Sequence, residues 1–194
     1  MVGELLAAVK LSGKCVAKPR HIIFVDWHGV LSLDPFWASV LRRATHPLRR
    51  QIEEETRKIF ADNAFVNDWM RGAISTSEVI AGMRIRLDRR FRPDFLARRL
   101  AFDCARMAVT DRLLVDLQKA APRAAIVLAT DNMDCFAHTI ASLRKRRVNR
   151  ASRRPELTDW ADFFAEVICS SEIGALKAEN APRFFSATLS AHGF

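Results

Sequence analysis

Residues 21–32 read HIIFVDWHGVLS: an apolar run, Ile22 to Val25, driven straight into Asp26 and followed by Trp27, His28 and Gly29. A short run rich in β-branched and aromatic residues, without polar alternation, reads as a strand buried on both faces. Ending such a strand on a carboxylate is costly unless something compensates the charge. Gly29 permits a tight turn, so that backbone amides can face an anion beside the carboxylate. A carboxylate next to an anion site makes chemical sense where a divalent cation bridges the two, or where the carboxylate itself attacks phosphorus. The plainer alternative is an aspartate that caps the next helix.

Working outward, two further segments have the same character: AAIVLAT (124–130) and AEVICS (165–170). Like the first, each ends on a polar residue, so Asp26, Thr130 and Ser170 fall at three strand ends. Helical patterns lie between and after them, and that alternation predicts an α/β fold around a parallel sheet. Such sheets place ligand chemistry just beyond the carboxyl ends of their strands. From Asp34 to about Pro122 the pattern is helical without strands, which predicts an all-helical insertion between the first strand and the second. Within it, ISTSEVIAGMRIRL (74–87) carries a capping box on Ser75 and Glu78, and Val79, Ile80, Met83 and Ile85 continue at helical spacing. Thr110 marks another helix start, and Gly72 and Pro93 punctuate the stretch.

Composition bounds the function classes. The chain has 194 residues, 49% hydrophobic and 27% charged, which fits one ordinary globular domain or a core with a modest insertion. No apolar stretch approaches the roughly 20 residues needed to cross a bilayer. The N-terminal MVGELLAAVKLSGKC lacks a basic leader and a long apolar block, so a secretory signal is not expected, and Leu5, Leu6 and Val9 read as a short amphipathic helix. Cys15, Cys104, Cys135 and Cys169 form no C-x-x-C pair, which argues against a zinc site or disulfide framework and for a reducing, cytoplasmic setting. All four read as small buried residues.

The net charge of +9 is local: RKRRVNRASRR (144–154) holds seven basic residues, and removing them from the total leaves +2. That run reads as a solvated loop or helix end. Its alternative is a patch for nucleic acid or another anionic partner, though no aromatics are interleaved for base stacking. His46, His138 and His192 have no ligand-like spacing. Trp27 is placed at a site mouth, whereas Trp69 and Trp160 read as packing residues.

HIIFVDWHGVLS resembles the first signature of the haloacid dehalogenase-like (HAD) superfamily, a hydrophobic strand followed by D-x-D-G-[VT]-[LV]. AAIVLATDN resembles the second signature, and ICSSEIGALKAENAPRFF the third. NDWMRGAISTSEVI is similar to the helical cap of the first subclass. The resemblance covers roughly residues 20–194. It implies a Rossmann-like core over 18–33 and 120–194, a helical cap over 34–119 and an N-terminal extension over 1–17. It implies a magnesium-dependent phosphatase of a small phosphorylated metabolite, with Asp26 as the nucleophile that becomes an aspartyl phosphate. Thr130 would hydrogen-bond the phosphoryl group, and Lys177 would neutralise the phosphate and the nucleophile. Mg2+ would be held by Asp26 and the backbone carbonyl of His28, and Trp27, Gly29, Asp131 and Asn132 would line the substrate site.

Two departures from the family pattern stand out. His28 occupies the place of the acid and base aspartate; its imidazole could protonate a leaving alkoxide, or could simply fill the turn. The fourth signature, an acidic strand completing the magnesium site and pairing with the first strand, would follow PRFFSATLSAHGF. Without it HIIFVD would be an unpaired edge. Truncation, coverage by another segment, or a degenerate member acting as a binding or regulatory module are the readings that remain open.

Overall fold

The computed structural model describes residues 21–148 and 163–194. Three strands form one parallel sheet in the order β1-β2-β3: β1 (His21–Val25), β2 (Ala124–Thr130) and β3 (Glu166–Cys169). All six helices described between β1 and β2 belong to the expected insertion: α1 (Ala38–Leu41), α2 (Arg49–Ala61), α3 (Asn63–Met70), α4 (Thr76–Gly82), α5 (Phe95–Cys104) and α6 (Asp111–Ala120). After β2 come α7 (Asp134–Val148), then α8 (Ser170–Ile173) following β3, and α9 (Ala181–His192). The fold is a mixed α/β arrangement with a parallel sheet and an all-helical insertion, as the strand pattern predicts.

The strands are apolar on both faces because both faces are covered. Val25, Ile126 and Leu128 point to one side, where they join Leu117, Phe136, Ile140 and the helices of the insertion in one core. Val127, Ala129 and Ile168 point to the other, where Phe184 and Phe185 of α9 cover them together with Ile22 and Phe24. β2, the central strand, is buried along its whole length. β1 has one partner strand among the described residues, and its Ile22, Ile23 and Phe24 are only half-buried. Edge placement is the reason: a strand paired on one side keeps part of its apolar flank in solvent.

Local expectations meet the structure unevenly. Ser75 accepts from the Glu78 amide while Glu78 accepts from the Ser75 amide, so the capping box forms. The helix stops at Gly82, however, short of the Ile85 that its spacing suggested. Side chains of α2 claim the next backbone amides instead: Arg84 donates to Glu55 Oε2 at 3.0 Å and Arg86 to Gln51 Oε1 at 2.8 Å. Those bonds hold the segment as irregular backbone against α2, a tertiary pull that outweighs weak helical propensity. Thr110 does begin α6, but its hydroxyl donates to the Leu31 carbonyl and not to the helix end.

Cys104 and Cys169 are buried and Cys135 is half-buried. Trp69 is buried, its indole N–H donating to Thr76 Oγ1. The first 20 residues, with Cys15, and residues 149–162, with Trp160 and positions 149–154 of the basic stretch, lie outside the described residues, although α7 carries the start of that stretch to Val148.

Candidate active site

Parallel register sets the strand ends side by side. Val25 faces Leu128 and Thr130 faces Cys169, so Asp26, Asp131 and Ser170 all follow at the same edge of the sheet. The chain after β1 turns at once. Leu31 and Ser32 donate to the Trp27 carbonyl, and Gly29 (φ +81°) donates to the Ser32 carbonyl. This corrects one expectation: the amides of Gly29, Leu31 and Ser32 close the turn on itself and are not aimed at an anion. Gly29 thus earns its place by its backbone angle.

Asp26 is the focus of the edge. One carboxylate oxygen accepts from the Trp27 amide at 2.7 Å, and the other lies 2.7 Å from Lys177 Nζ. Its side chain is 41% exposed, against 22% for Lys177. The Lys177 ammonium also donates to the Ala129 carbonyl at 3.3 Å, and its backbone N–H donates to Asp131 Oδ1 at 3.0 Å. One residue in the loop between α8 and α9 therefore touches Asp26, the end of β2 and Asp131. Burial pushes the Asp131 carboxyl above the usual range; the Lys177 amide and ammonium pull it down, and the Asp26 charge pushes it up again. Two carboxylates thus crowd one cation.

Thr130 is fully buried, and its hydroxyl has no hydrogen-bond partner among the described residues. A buried hydroxyl left unpaired costs about 1–3 kcal/mol, which marks it as a group suited to an absent acceptor. Asn132 is buried too, and its side-chain oxygen is taken by the Met133 amide at 3.0 Å. His28 is exposed and lines a cavity beside the strand ends, together with Asp131 and Asn132. Trp27 is a correction: it is 1% exposed and forms an inner wall, not a mouth, tilted against Phe136 at 5.1 Å with its indole N–H on Met107 Sδ at 3.3 Å.

Ser170 was expected at a strand end, but the ties that it and its neighbours make escaped the sequence reading. Ser170 Oγ donates to the Met70 carbonyl at 2.6 Å and accepts from the Asn132 amide at 2.9 Å, tying β3, the loop after β2 and the insertion together. Arg71 forms an ion pair with Glu179 beside it. Asp34 accepts from the Ala108 amide at 2.7 Å and pairs with Arg42, closing the two ends of the insertion on each other. The only signal for these ties was their proximity to motif residues; partners as many as 100 positions apart have no local pattern.

With this geometry in view, the chain resembles solved structures. A predicted HAD-like family hydrolase from Porphyromonas gingivalis superimposes with a TM-score of 0.54 at 15% identity, over 92% of this chain and 78% of that one. A HAD family enzyme from Bacteroides thetaiotaomicron, solved in complex with magnesium and inorganic phosphate, gives a TM-score of 0.50 at 16% identity, over 90% of this chain and 79% of that one. No family model and no curated protein sequence matches the chain. The likeness is one of fold: the chain shares the mixed α/β fold of these two structures, built here on a Rossmann-type parallel sheet.

Proposed function

We propose that the chain is a HAD-like phosphohydrolase acting on a small phosphorylated substrate, with residues 34–119 as its cap over a core formed by 18–33 and 120–194. The observation that carries this reading is the Asp26–Lys177 contact of 2.7 Å at the carboxyl end of a parallel sheet, next to a buried Thr130 hydroxyl without a partner. Asp26 would attack phosphorus in line, forming an aspartyl phosphate and expelling the alcohol. Lys177 would balance the charge gathered on Asp26 and the transferring oxygens, where preorganised charge counts most. Thr130 would donate its hydroxyl proton to a phosphoryl oxygen and so acquire the partner it lacks. His28, exposed beside the cavity, would hand a proton to the departing alkoxide. Water would then hydrolyse the acyl phosphate.

The donor set fits a hard cation: the Asp26 charge helps to raise the Asp131 carboxyl, so a cation beside the two would relieve it, and the turn at His28 would add a backbone carbonyl. Magnesium held by Asp26 and the His28 carbonyl, with Asp131 beside them, would neutralise charge on the transferring phosphoryl group. The enzyme solved with magnesium and inorganic phosphate supports that choice of cofactor and substrate class. The test is hydrolysis of p-nitrophenyl phosphate with magnesium present. Asp26→Asn should abolish it, and undiminished turnover would overturn the nucleophile assignment.

One observation favours a second reading, a binding module of the same fold. Among the described residues no group of three or more His, Cys, Asp or Glu side chains is placed to hold a metal. Absence of magnesium binding in calorimetry, together with absence of turnover, would decide for it. The basic run at 144–154 remains a proposal only for anionic partners, and no helix among the described residues is long and apolar enough to cross a membrane.

A further inference from the structure

The cavity beside the strand ends has a volume of about 290 Å³ and lies between the site and the insertion. Its walls are apolar: Phe36 and Phe60, with ring centroids 6.3 Å apart and planes inclined by 30°, face Met70, Met107, Met133 and the buried Trp27. The Phe36 wall is fixed by its neighbour. Trp37 is fully buried, sits in the left-handed region at φ 54° and donates its indole N–H to the Leu96 carbonyl at 3.0 Å.

The polar groups in the lining fall into two sets. Asp34 is spent on the Ala108 amide and Arg42, and the Asn132 oxygen is spent on the Met133 amide. His28, Asp131 and the amino end of the Asn132 side chain remain, and all three belong to the catalytic end. Among the described residues no lysine, arginine, serine or threonine lines the cavity. A sugar in this space would have its hydroxyls desolvated without partners, and a second phosphate would meet no cation; both are penalised.

We propose that this cavity takes the leaving-group end of the substrate, and that this end is an apolar alcohol, aromatic or alkyl, rather than a sugar or a nucleotide. The inference rests on the phosphohydrolase reading above. Size agrees: an apolar cavity of about 150 Å³ holds a benzene ring, so roughly twice that volume admits two fused rings or a chain of similar bulk. Methionine and phenylalanine walls suit such a body, because they supply dispersion contacts and adapt to shape. The phosphate would sit at the Asp26 end, and the hydrocarbon would run inward past Trp27 towards Phe36 and Phe60.

The test has two arms on the full chain. In the first, kcat/KM is measured with magnesium for 2-(2-naphthyl)ethyl phosphate, a series of n-alkyl phosphates and glucose 6-phosphate, all esters of primary alcohols, so that leaving-group reactivity is closely matched. The naphthyl ester should exceed the sugar ester roughly 50- to 100-fold, the ratio that burying about 100 Å² of apolar surface supplies. Alkyl esters should improve by about threefold to fourfold per methylene until the cavity is full. In the second arm, 2-naphthol, which has no phosphate, is titrated by tryptophan fluorescence and calorimetry. Phe60 is half-exposed at the cavity wall, so Phe60→Ser should weaken naphthol binding several-fold without unfolding the chain. Val115→Ser, an exposed change on α6 away from the cavity, should leave it unaltered.

Equal turnover of sugar and naphthyl esters, or naphthol binding that ignores Phe60→Ser, would overturn the proposal. Naphthol binding that depends on Phe60, with no ester hydrolysed, would support the apolar site and overturn the phosphohydrolase reading instead.

Discussion

Gly72→Ala is the sharpest structural test of how the insertion is seated on the sheet. Gly72 follows α3 with φ +72°, and a Cβ built there would lie 2.5 Å from the Ser171 carbonyl oxygen and 3.3 Å from its carbon. That contact is backbone, not the far end of a flexible side chain, so relief requires α8, which follows β3 directly, to move. A left-handed alanine costs about 1–2 kcal/mol, and forcing added volume into a packed contact costs about 1–3 kcal/mol more. A destabilisation of about 3 kcal/mol is therefore expected, which for a chain of this size lowers Tm by about 6–12 °C. Gly29→Ala supplies the control. Gly29 has φ +81°, yet its added Cβ would meet nothing within 4 Å, so only the backbone cost of about 1–2 kcal/mol applies. Thermal unfolding of the two variants, followed by circular dichroism, isolates the contact as the difference between them. If Gly72→Ala melts no lower than Gly29→Ala, the close approach between α3 and Ser171 is not what holds the insertion in place.

Two other variants probe the site and its support. Thr130→Val keeps shape but removes a buried hydroxyl that lacks a partner, so it should leave stability unchanged or raise it by about 1 kcal/mol, while turnover of p-nitrophenyl phosphate falls at least tenfold; loss of stability with activity intact would invert the assignment. Glu55 is held below its ordinary range by its bonds to Lys58 and to the Arg84 amide. A carboxyl with a depressed folded pKa contributes stability above its unfolded value of about 4.5, and that contribution fades as pH falls through the folded value. Glu55→Gln should accordingly lower Tm at pH 7 and approach the parent protein as pH falls below the unfolded value and through the lower folded one, as a series of melts from pH 2 to 8 would read; a constant gap would show that packing, not charge, is at stake.

The fold was legible because its signals are local. Each strand is a short apolar run closed by one polar residue, and the structure sets its three strands within a residue of those limits. The Ser75 box was legible for the same reason, since both partners lie within one helical turn. The end of α4 was not: Val79 to Ile85 keeps helical spacing, but Glu55 and Gln51, about thirty positions earlier, take the amides that a longer helix would have used. At the candidate site, Asp26, Thr130 and Lys177 could be named from motif order, and the structure brings Lys177 against Asp26. What the order could not supply is which turn amides are spent, since Gly29, Leu31 and Ser32 bond within the turn. Nor could it supply the cavity, whose Phe36 and Phe60 come from separate parts of the insertion and meet only through packing.

The ties at Ser170 join the chemistry of the site to the shape of its cavity. Ser170 is fully buried and bonds both the Met70 carbonyl and the Asn132 amide, and Met70 and Asn132 both line the cavity. The same stretch of chain holds Gly72 against Ser171 and Arg71 against Glu179. The exposed ion pair is worth little by itself in water. The buried serine is worth more, because removing its hydroxyl leaves the Met70 carbonyl and the Asn132 amide without a partner at once. A rigid mount of this kind fixes the distance between Asp26 and the Phe36–Phe60 wall, since Lys177, only seven residues after Ser170, is what grips Asp26. The strand ends that carry the charged groups and the helices that shape the apolar space therefore meet at this buried hydroxyl, beside the Gly72 contact and the core they share. Positioning of that order is where a displacement of about 1 Å costs catalysis on the order of 100-fold.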